Sequence, residues 1–319
     1  MIKVTAMALI MSPLGVLAWA TFGILNVMAL LGNGFIIVVN GHQWLQSKKM
    51  IPYKFLLTTL STSRFLLQMD SVVGHFMYLI FAEIQKETHL YASRAEVVNF
   101  IWMFLNMVSL WNASWLSMLY CVKVTNFANR LFIWLKARVN MLVPRLLGIS
   151  IIVSTVFFFP SAAKYYRKKK WCNLTDAVPR NSSQREGCND AFDVFHFPQL
   201  FLASVNFGLT LTASCLLLTS LWKHTNNLEK SGAAFKDLST QLHFKVMMPL
   251  LVSLLFYVLY FPCFVLAVGD IFEFGRLERW ASEIVLPLYA FVQSIILILT
   301  NPELKKVAAS ILIIRQRAS

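Results

Sequence analysis

The chain has 319 residues, of which 57% are hydrophobic and only 14% charged, where a soluble domain carries roughly 25% charged residues. So few charges cannot cover the apolar surface of a water-soluble domain this size, so lipid must be the solvent over much of the exterior. The formal charge of +14 does not mark a nucleic-acid binder. The basic residues sit between apolar runs instead of lining one face, as loops on the inner side of a membrane and contacts with anionic lipid headgroups require.

Residues 1–13 carry a single lysine and no small-residue cleavage site, so the apolar run from Leu14 reads as a retained first span and not as a signal peptide. Seven stretches reach the roughly 20 apolar residues needed to cross about 30 Å of hydrocarbon: residues 14–39, 55–81, 97–122, 143–163, 198–222, 246–269 and 281–300. Continuous apolar runs lack the alternation of barrel strands, which leaves helix. The expected fold is an all-α integral membrane protein, one seven-transmembrane-helix bundle over residues 1–319, with kinks at Pro160, Pro249, Pro262 and Pro287. A loop over 164–197 joins the fourth and fifth spans. In the tail, 301–319, Leu304, Val307, Ala308, Ile311 and Leu312 recur at helical spacing beside Lys305, Lys306 and Arg315. That pattern predicts a short amphipathic helix on the inner membrane surface.

Orientation follows from charge and from glycosylation signals. With the amino terminus outside, sixteen lysines and arginines fall inside and twelve outside, with Arg64 left within the second span. Two sequons, at Asn173 and Asn181, lie in the 164–197 loop that this choice places outside. A third, at Asn112, falls within the third span and should be inert. The same loop holds Cys172 and Cys188, which can form a loop-internal disulfide if it is extracytoplasmic. Cys121, Cys215 and Cys263 lie in apolar runs and read as small packing residues.

No nucleotide-binding glycine loop, metal-ligand cluster or nucleophile elbow occurs, so neither enzyme chemistry nor a cofactor or metal is expected. The six histidines, 42, 75, 89, 196, 224 and 243, are dispersed and read as solvated loop or end residues. Arg64 and Asp70 lie well inside a span, six residues apart and hence on different faces of a helix. That is too few intramembrane charges for a transporter, whose paired repeats seven spans also fit poorly.

Several stretches carry a resemblance. The third span and its exit read Trp102, Asn106, Ser109-Leu110-Trp111 and Tyr120 to Phe127, with Lys123 and Asn126, continuing to Trp134-Leu135-Lys136. The fifth span ends in Ser220-Leu221-Trp222-Lys223-His224-Thr225, the second holds Ser63-Arg64, the first Gly32-Asn33, and the seventh Gln293-Ser294 through Leu304. Together these resemble the type 2 taste receptor (bitter taste receptor) family of G-protein-coupled receptors. The acidic-Arg-aromatic triplet of rhodopsin-like receptors is absent, and Asn301-Pro302 at the membrane exit is not their span-seven motif. Gln293 stands where the family often has a histidine.

The resemblance implies small bitter agonists held in the outer half of the bundle. It also implies a gustducin-type heterotrimeric G protein at the inner face, signalling through phospholipase C and calcium from the plasma membrane, in contact with membrane lipids. It suggests Trp102, Asn106, Tyr257, Tyr260 and Glu283 as ligand-facing, with Tyr257 also the aromatic switch. The resemblance further implies that Asn33, Arg64 and Ser294 form a structural group tying spans one, two and seven, and that Lys123 and Lys245 face the G protein. Plainer alternatives stand beside these roles: an interfacial tryptophan and a helix–helix hydrogen bond for Trp102 and Asn106, core packing for Tyr257, a solvated carboxylate at a helix start for Glu283, and headgroup contacts for the lysines. A vomeronasal-type chemosensory receptor or a membrane transporter are the alternative functions. Oligomeric state is not indicated by the sequence.

Overall fold

The computed structural model describes residues 12–48, 51–83, 89–124, 130–175, 191–230, 236–268 and 277–318. Among them the chain forms eight helices: α1 Pro13–Ser47, α2 Pro52–Glu83, α3 His89–Val124, α4 Arg130–Thr175, α5 Ala191–Lys230, α6 Lys236–Val268, α7 Leu277–Thr300 and α8 Pro302–Ala318.

The first helix shows why lipid surrounds the bundle. Ser12 caps it, its Oγ accepting from the Gly15 N–H at 3.1 Å with Pro13 in the first helical position. Along its buried face Asn26, Asn33 and Asn40 recur every seven residues and are at most 3% exposed, whereas Leu17, Ile24, Leu31 and Val38, also seven apart, are 63–69% exposed. Polar side chains inward and bare aliphatic side chains outward invert the order that water imposes. Two of the inward amides are held locally, Asn26 Nδ2 donating to the Phe22 carbonyl and Asn33 Nδ2 to the Ala29 carbonyl, while Asn40 Nδ2 donates to Thr58 Oγ1 of α2.

Six helices among the described residues are long and apolar enough to cross a membrane by length and composition. α2 is the remaining long helix, and along its inward stripe Ser61, Ser63, Arg64 and Gln68 are all buried. With α2 counted by its place in the bundle, the seven-helix fold expected from the sequence is the one observed. α3 is the central helix, packed on α2, α4 and α5, with half of its core stretch buried against 22–33% in the other five. α1 closes the ring against α2 and α7, and α6 bridges α5 and α7. The helices run through Pro144, Pro160, Pro198, Pro249, Pro262 and Pro287 without ending.

The helices are longer than the apolar runs. α4 spans 46 residues, about 70 Å at 1.5 Å per residue, and so projects well beyond a hydrocarbon layer. The segment 164–197, expected as a loop, is helical as far as Thr175 and again from Ala191. Polarity at Lys164 to Lys170 marks where lipid would end, not where backbone hydrogen bonding ends.

At the other end Asn301 starts a new helix: its Oδ1 accepts from the N–H groups of Glu303 and Leu304, at 3.0 and 3.4 Å, with Pro302 in the first position. Asn301-Pro302 is thus a capping device. Leu304 is 1% exposed and joins the apolar cluster of Leu56, Leu57, Leu119 and Val122, while Ile311, two turns further along the same face, is exposed. Lys54 Nζ donates to Gln43 Oε1 at 2.8 Å and meets Glu303 at 2.6 Å, joining α1, α2 and α8. Glu303 is 45% exposed, so this pair contributes only about 0–1 kcal/mol.

Gly32 sets the spacing of α1 and α7, since a Cβ there would overlap Ser294 Oγ. Gly32→Val should push the two helices apart, at a cost on the order of 1–3 kcal/mol. We expect lower surface expression and a lower melting temperature for purified Gly32→Val, and an unchanged melting temperature would contradict the close packing.

Candidate functional site

A cavity of about 220 Å³ opens among α1, α2, α3, α6 and α7, in the half of the bundle away from α8. Leu67, Gln68, Asp70 and His75 come from α2, Trp102 and Asn106 from α3, Tyr260 from α6, and Glu283, Leu286 and Pro287 from α7. Trp102 and Asn106 share one face of α3 because they are four residues apart. Trp102 stacks on Phe264, 6.0 Å between ring centroids, and Phe264 in turn stacks on Tyr260 at 6.0 Å. The cavity thus has an apolar aromatic wall with a few polar groups set into it, the usual construction of a small-molecule site.

Asn106 forms part of the floor and is 1% exposed. Its Oδ1 accepts from the Tyr260 hydroxyl, while its Nδ2 is buried with no hydrogen-bond partner. The helix–helix hydrogen bond weighed as its plainer role is therefore present, and a donor is left over. Such a donor costs about 1–3 kcal/mol when unmatched, which a ligand acceptor would recover.

Glu283 is not a solvated carboxylate. It is 9% exposed, and its Oε2 lies 3.7 Å from His75 Nε2. His75 itself sits inside α2, its ring 4.1 Å from Phe22 and 5.3 Å from Trp19, with Nδ1 2.8 Å from the Ser71 carbonyl oxygen. It is no solvated loop histidine, and neither is His196, which is 6% exposed on α5. Asp70 also lines the cavity, with Oδ2 buried and without a hydrogen-bond partner. The rule that an ionisable group inside a span marks a site finds Asp70 and His75, provided position 75 is counted within residues 55–81.

Tyr257 lies one layer deeper than its four companions. Its hydroxyl donates to Asn206 Oδ1 at 3.3 Å, and Asn206 Oδ1 also accepts from Ser114 Oγ at 2.8 Å, linking α3, α5 and α6. It lines a second, smaller cavity of about 50 Å³ toward the α8 end, together with Tyr120, Thr210, Tyr289 and Gln293. Tyr257 and Tyr260 both contact the Tyr289 ring, at 5.8 and 4.7 Å between centroids.

Tyr289 leads to Arg64, whose guanidinium lies 5.0 Å from the ring centroid. Arg64 is 2% exposed; Nε donates to Ser109 Oγ at 3.3 Å and Nη2 to Gln293 Oε1. The arginine therefore joins α2 to α3 and α7, where the resemblance had tied spans one, two and seven. Asn33 and Ser294 each bond within their own helix, Ser294 Oγ donating to the Phe291 carbonyl at 2.7 Å, and α1 meets α7 through Gly32. Sequence reasoning had no means of finding Ser109 as the arginine's acceptor.

Further motif residues fall into place around α3. Trp111 Nε1 donates to Ser154 Oγ at 2.9 Å and Trp115 Nε1 to Ser150 Oγ at 3.1 Å, fastening α4. Asn112 is 0% exposed and accepts from Thr59, deep in the bundle and closed to glycosylation. Lys123 is exposed at the end of α3. Asn181 and Cys188 lie outside the described residues, as do the side chains of Lys245, Cys172 and Asn173.

Seven membrane-length helices enclosing a lined cavity, with a polar hydrogen-bonded core beneath it, define a receptor-type multi-pass membrane protein. Comparison with known proteins makes this specific. The model of the taste receptor protein (TAS2R) family matches residues 10–316, and the chain belongs to that family. It is 30% identical to taste receptor type 2 member 41 of Pan paniscus over 302 residues, covering 92% of this chain and 94% of the relative. It is likewise 30% identical to taste receptor type 2 member 60 of Homo sapiens, covering 90% and 89%, and 27% identical to member 143 of Rattus norvegicus, covering 89% and 94%. The family is one of receptors and not of enzymes, and this match over the whole bundle replaces the vomeronasal-type and transporter alternatives.

Proposed function

We infer that the protein is a G-protein-coupled bitter taste receptor. Small bitter compounds occupy the cavity, and a gustducin-type G protein is activated at the opposite end, leading to phospholipase C and calcium signalling. The amino terminus is extracellular and the carboxyl terminus cytoplasmic, in the plasma membrane, with Lys123 and Lys245 at the G-protein cleft and glycans on Asn173 and Asn181. The observation that carries this reading is the cavity itself: an aromatic-walled space of about 220 Å³ with a buried unmatched donor on Asn106. Its size is below the roughly 300–1,000 Å³ of drug-sized sites, which favours compact agonists.

A ligand shifts a two-state bundle only by its differential affinity for the active state. The column from Tyr260 through Tyr289 to Arg64 offers a contiguous contact path from the cavity floor to the α2–α3–α7 junction. Tyr257, on the same column and bonded to α5 through Asn206, is placed to move when α6 moves. In the active state the inner ends of α3, α5 and α6 separate and admit a helix of the G protein, on which nucleotide exchange occurs.

The test is a chemically diverse bitter panel applied to cells expressing the receptor with a chimeric taste G protein, reading calcium. Responses that need both receptor and G protein are expected. A receptor confirmed at the cell surface that stays silent across the panel would overturn the reading.

A further inference from the structure

Two carboxylates face the cavity, and they are not equivalent. Glu283 already has a partner within the protein, since His75 Nε2 stands 3.7 Å from its Oε2. That histidine is held in place by Trp19 and Phe22, and Trp19 is in turn backed by Trp280 at 5.6 Å. With Nδ1 2.8 Å from the Ser71 carbonyl oxygen, Nε2 is the ring nitrogen turned toward Glu283. Among the described residues Asp70 has no such partner. Its Oδ2, like Glu283 Oε2, is buried without a hydrogen bond, but no histidine stands against it, and the deep cation of the same helix, Arg64, is turned toward Ser109, Gln293 and Tyr289. A carboxylate within a membrane bundle without a counter-ion is costly and is relieved by a cation brought into the adjoining space.

A second observation points to a ligand independently of charge. Asn106, 1% exposed on the floor of the same cavity, has an Nδ2 donor with no acceptor. The same cavity is also lined by the apolar side chains of Phe22, Leu67, Leu286 and Trp102.

We propose that this cavity selects compact protonated amines, with Asp70 and not Glu283 receiving the ammonium group and Asn106 Nδ2 donating to an acceptor oxygen of the same ligand. The inference rests on the reading of the cavity as the ligand site. In this arrangement Glu283 is a positioning residue that holds His75, and Asp70 is the specificity-determining one.

Matched probes isolate the charge: ring-substituted 2-phenoxyethyl-dimethylamines and their carbon isosteres, the 3-methylbutyl phenyl ethers, which differ only in the ammonium centre. Binding is measured on the purified full-length receptor in bilayer discs. In the wild type the amines should bind about tenfold or more tightly than the isosteres. Asp70→Asn should bring the two series to within about twofold of each other, while Glu283→Gln and the charge-conserving Asp70→Glu keep the preference. No amine preference in the wild type, no binding of any amine, or a preference that survives Asp70→Asn or vanishes only with Glu283→Gln would overturn the proposal. Unchanged binding of the isosteres to Asp70→Asn shows that the variant is folded. Loss of both series with Trp102→Ala, without any amine preference, would sink Asp70's role and leave the cavity reading intact. Binding of either series indifferent to Trp102→Ala would count against the cavity reading itself.

Discussion

Arg64→Ala should abolish agonist-evoked signalling and strongly reduce the receptor at the cell surface. The guanidinium is 2% exposed and is the common partner of Ser109 on α3, Gln293 and Tyr289 on α7. Its removal leaves a void and strands the Gln293 Oε1 and Ser109 hydroxyl in a low-dielectric interior, at a cost on the order of 3 kcal/mol for hydrogen bonds to a charged group. That is a large share of a stability of about 5–15 kcal/mol. Arg64→Lys should recover surface expression better than signalling, because an ammonium keeps the charge but cannot reach Ser109 and Gln293 with one rigid fork. Surface labelling and calcium responses measured on the same cells check both variants. A normal agonist response from Arg64→Ala would show that the α2–α3–α7 junction is not needed for folding or switching.

The second large effect is on potency. Asn106→Ala should raise the agonist concentration for half-maximal response by about tenfold or more, with surface expression retained. The alanine removes the ligand-facing Nδ2 and also strands the Tyr260 hydroxyl, which now donates to Asn106 Oδ1. Tyr260→Phe removes the second of these interactions and keeps the first. If the amide faces a ligand, Tyr260→Phe should shift potency much less than Asn106→Ala. Equal shifts would reduce Asn106 to a helix–helix tie. Trp102→Ala, which opens the aromatic wall beside Phe264, should weaken all agonists alike through lost apolar contact, by about 3 kcal/mol at most.

How far the sequence could be read depends on which physical signal each feature leaves. Apolar length found six of the seven membrane helices easily. The second span was found from its length despite Arg64 and Asp70 and the buried polar stripe of Ser61, Ser63 and Gln68. The fit of Trp102, Asn106, Tyr260 and Glu283 around one cavity follows from helical spacing combined with resemblance, and neither alone suffices. Tyr257 differs because one turn of α6 separates it from Tyr260 and carries its hydroxyl to Asn206 instead of into the cavity.

Other features left weaker signals or none. The seven-residue repeats of Asn26, Asn33, Asn40 and of Leu17, Ile24, Leu31, Val38 are visible in the sequence and assign the inner and outer faces of α1 directly. Helix ends were hidden, because hydropathy reports lipid while α4 continues through charged residues to Thr175. Long-range pairings such as Arg64 with Gln293, 229 positions apart, leave no trace in a single sequence. The Glu283–His75 pairing is of the same kind, and reading either residue alone suggests solvation.

Guanine-nucleotide exchange in a reconstituted system bears most directly on the proposed receptor activity. Purified receptor in bilayer discs is mixed with a gustducin-type heterotrimer, an agonist found in the cell screen is added, and binding of a non-hydrolysable GTP analogue is followed. Agonist should accelerate exchange only when the receptor is present, and Asn106→Ala should move the response to higher agonist concentration. Exchange that stays at the receptor-free rate, with the same agonist bound to the same preparation, would show that this bundle does not turn occupancy of its cavity into G-protein activation.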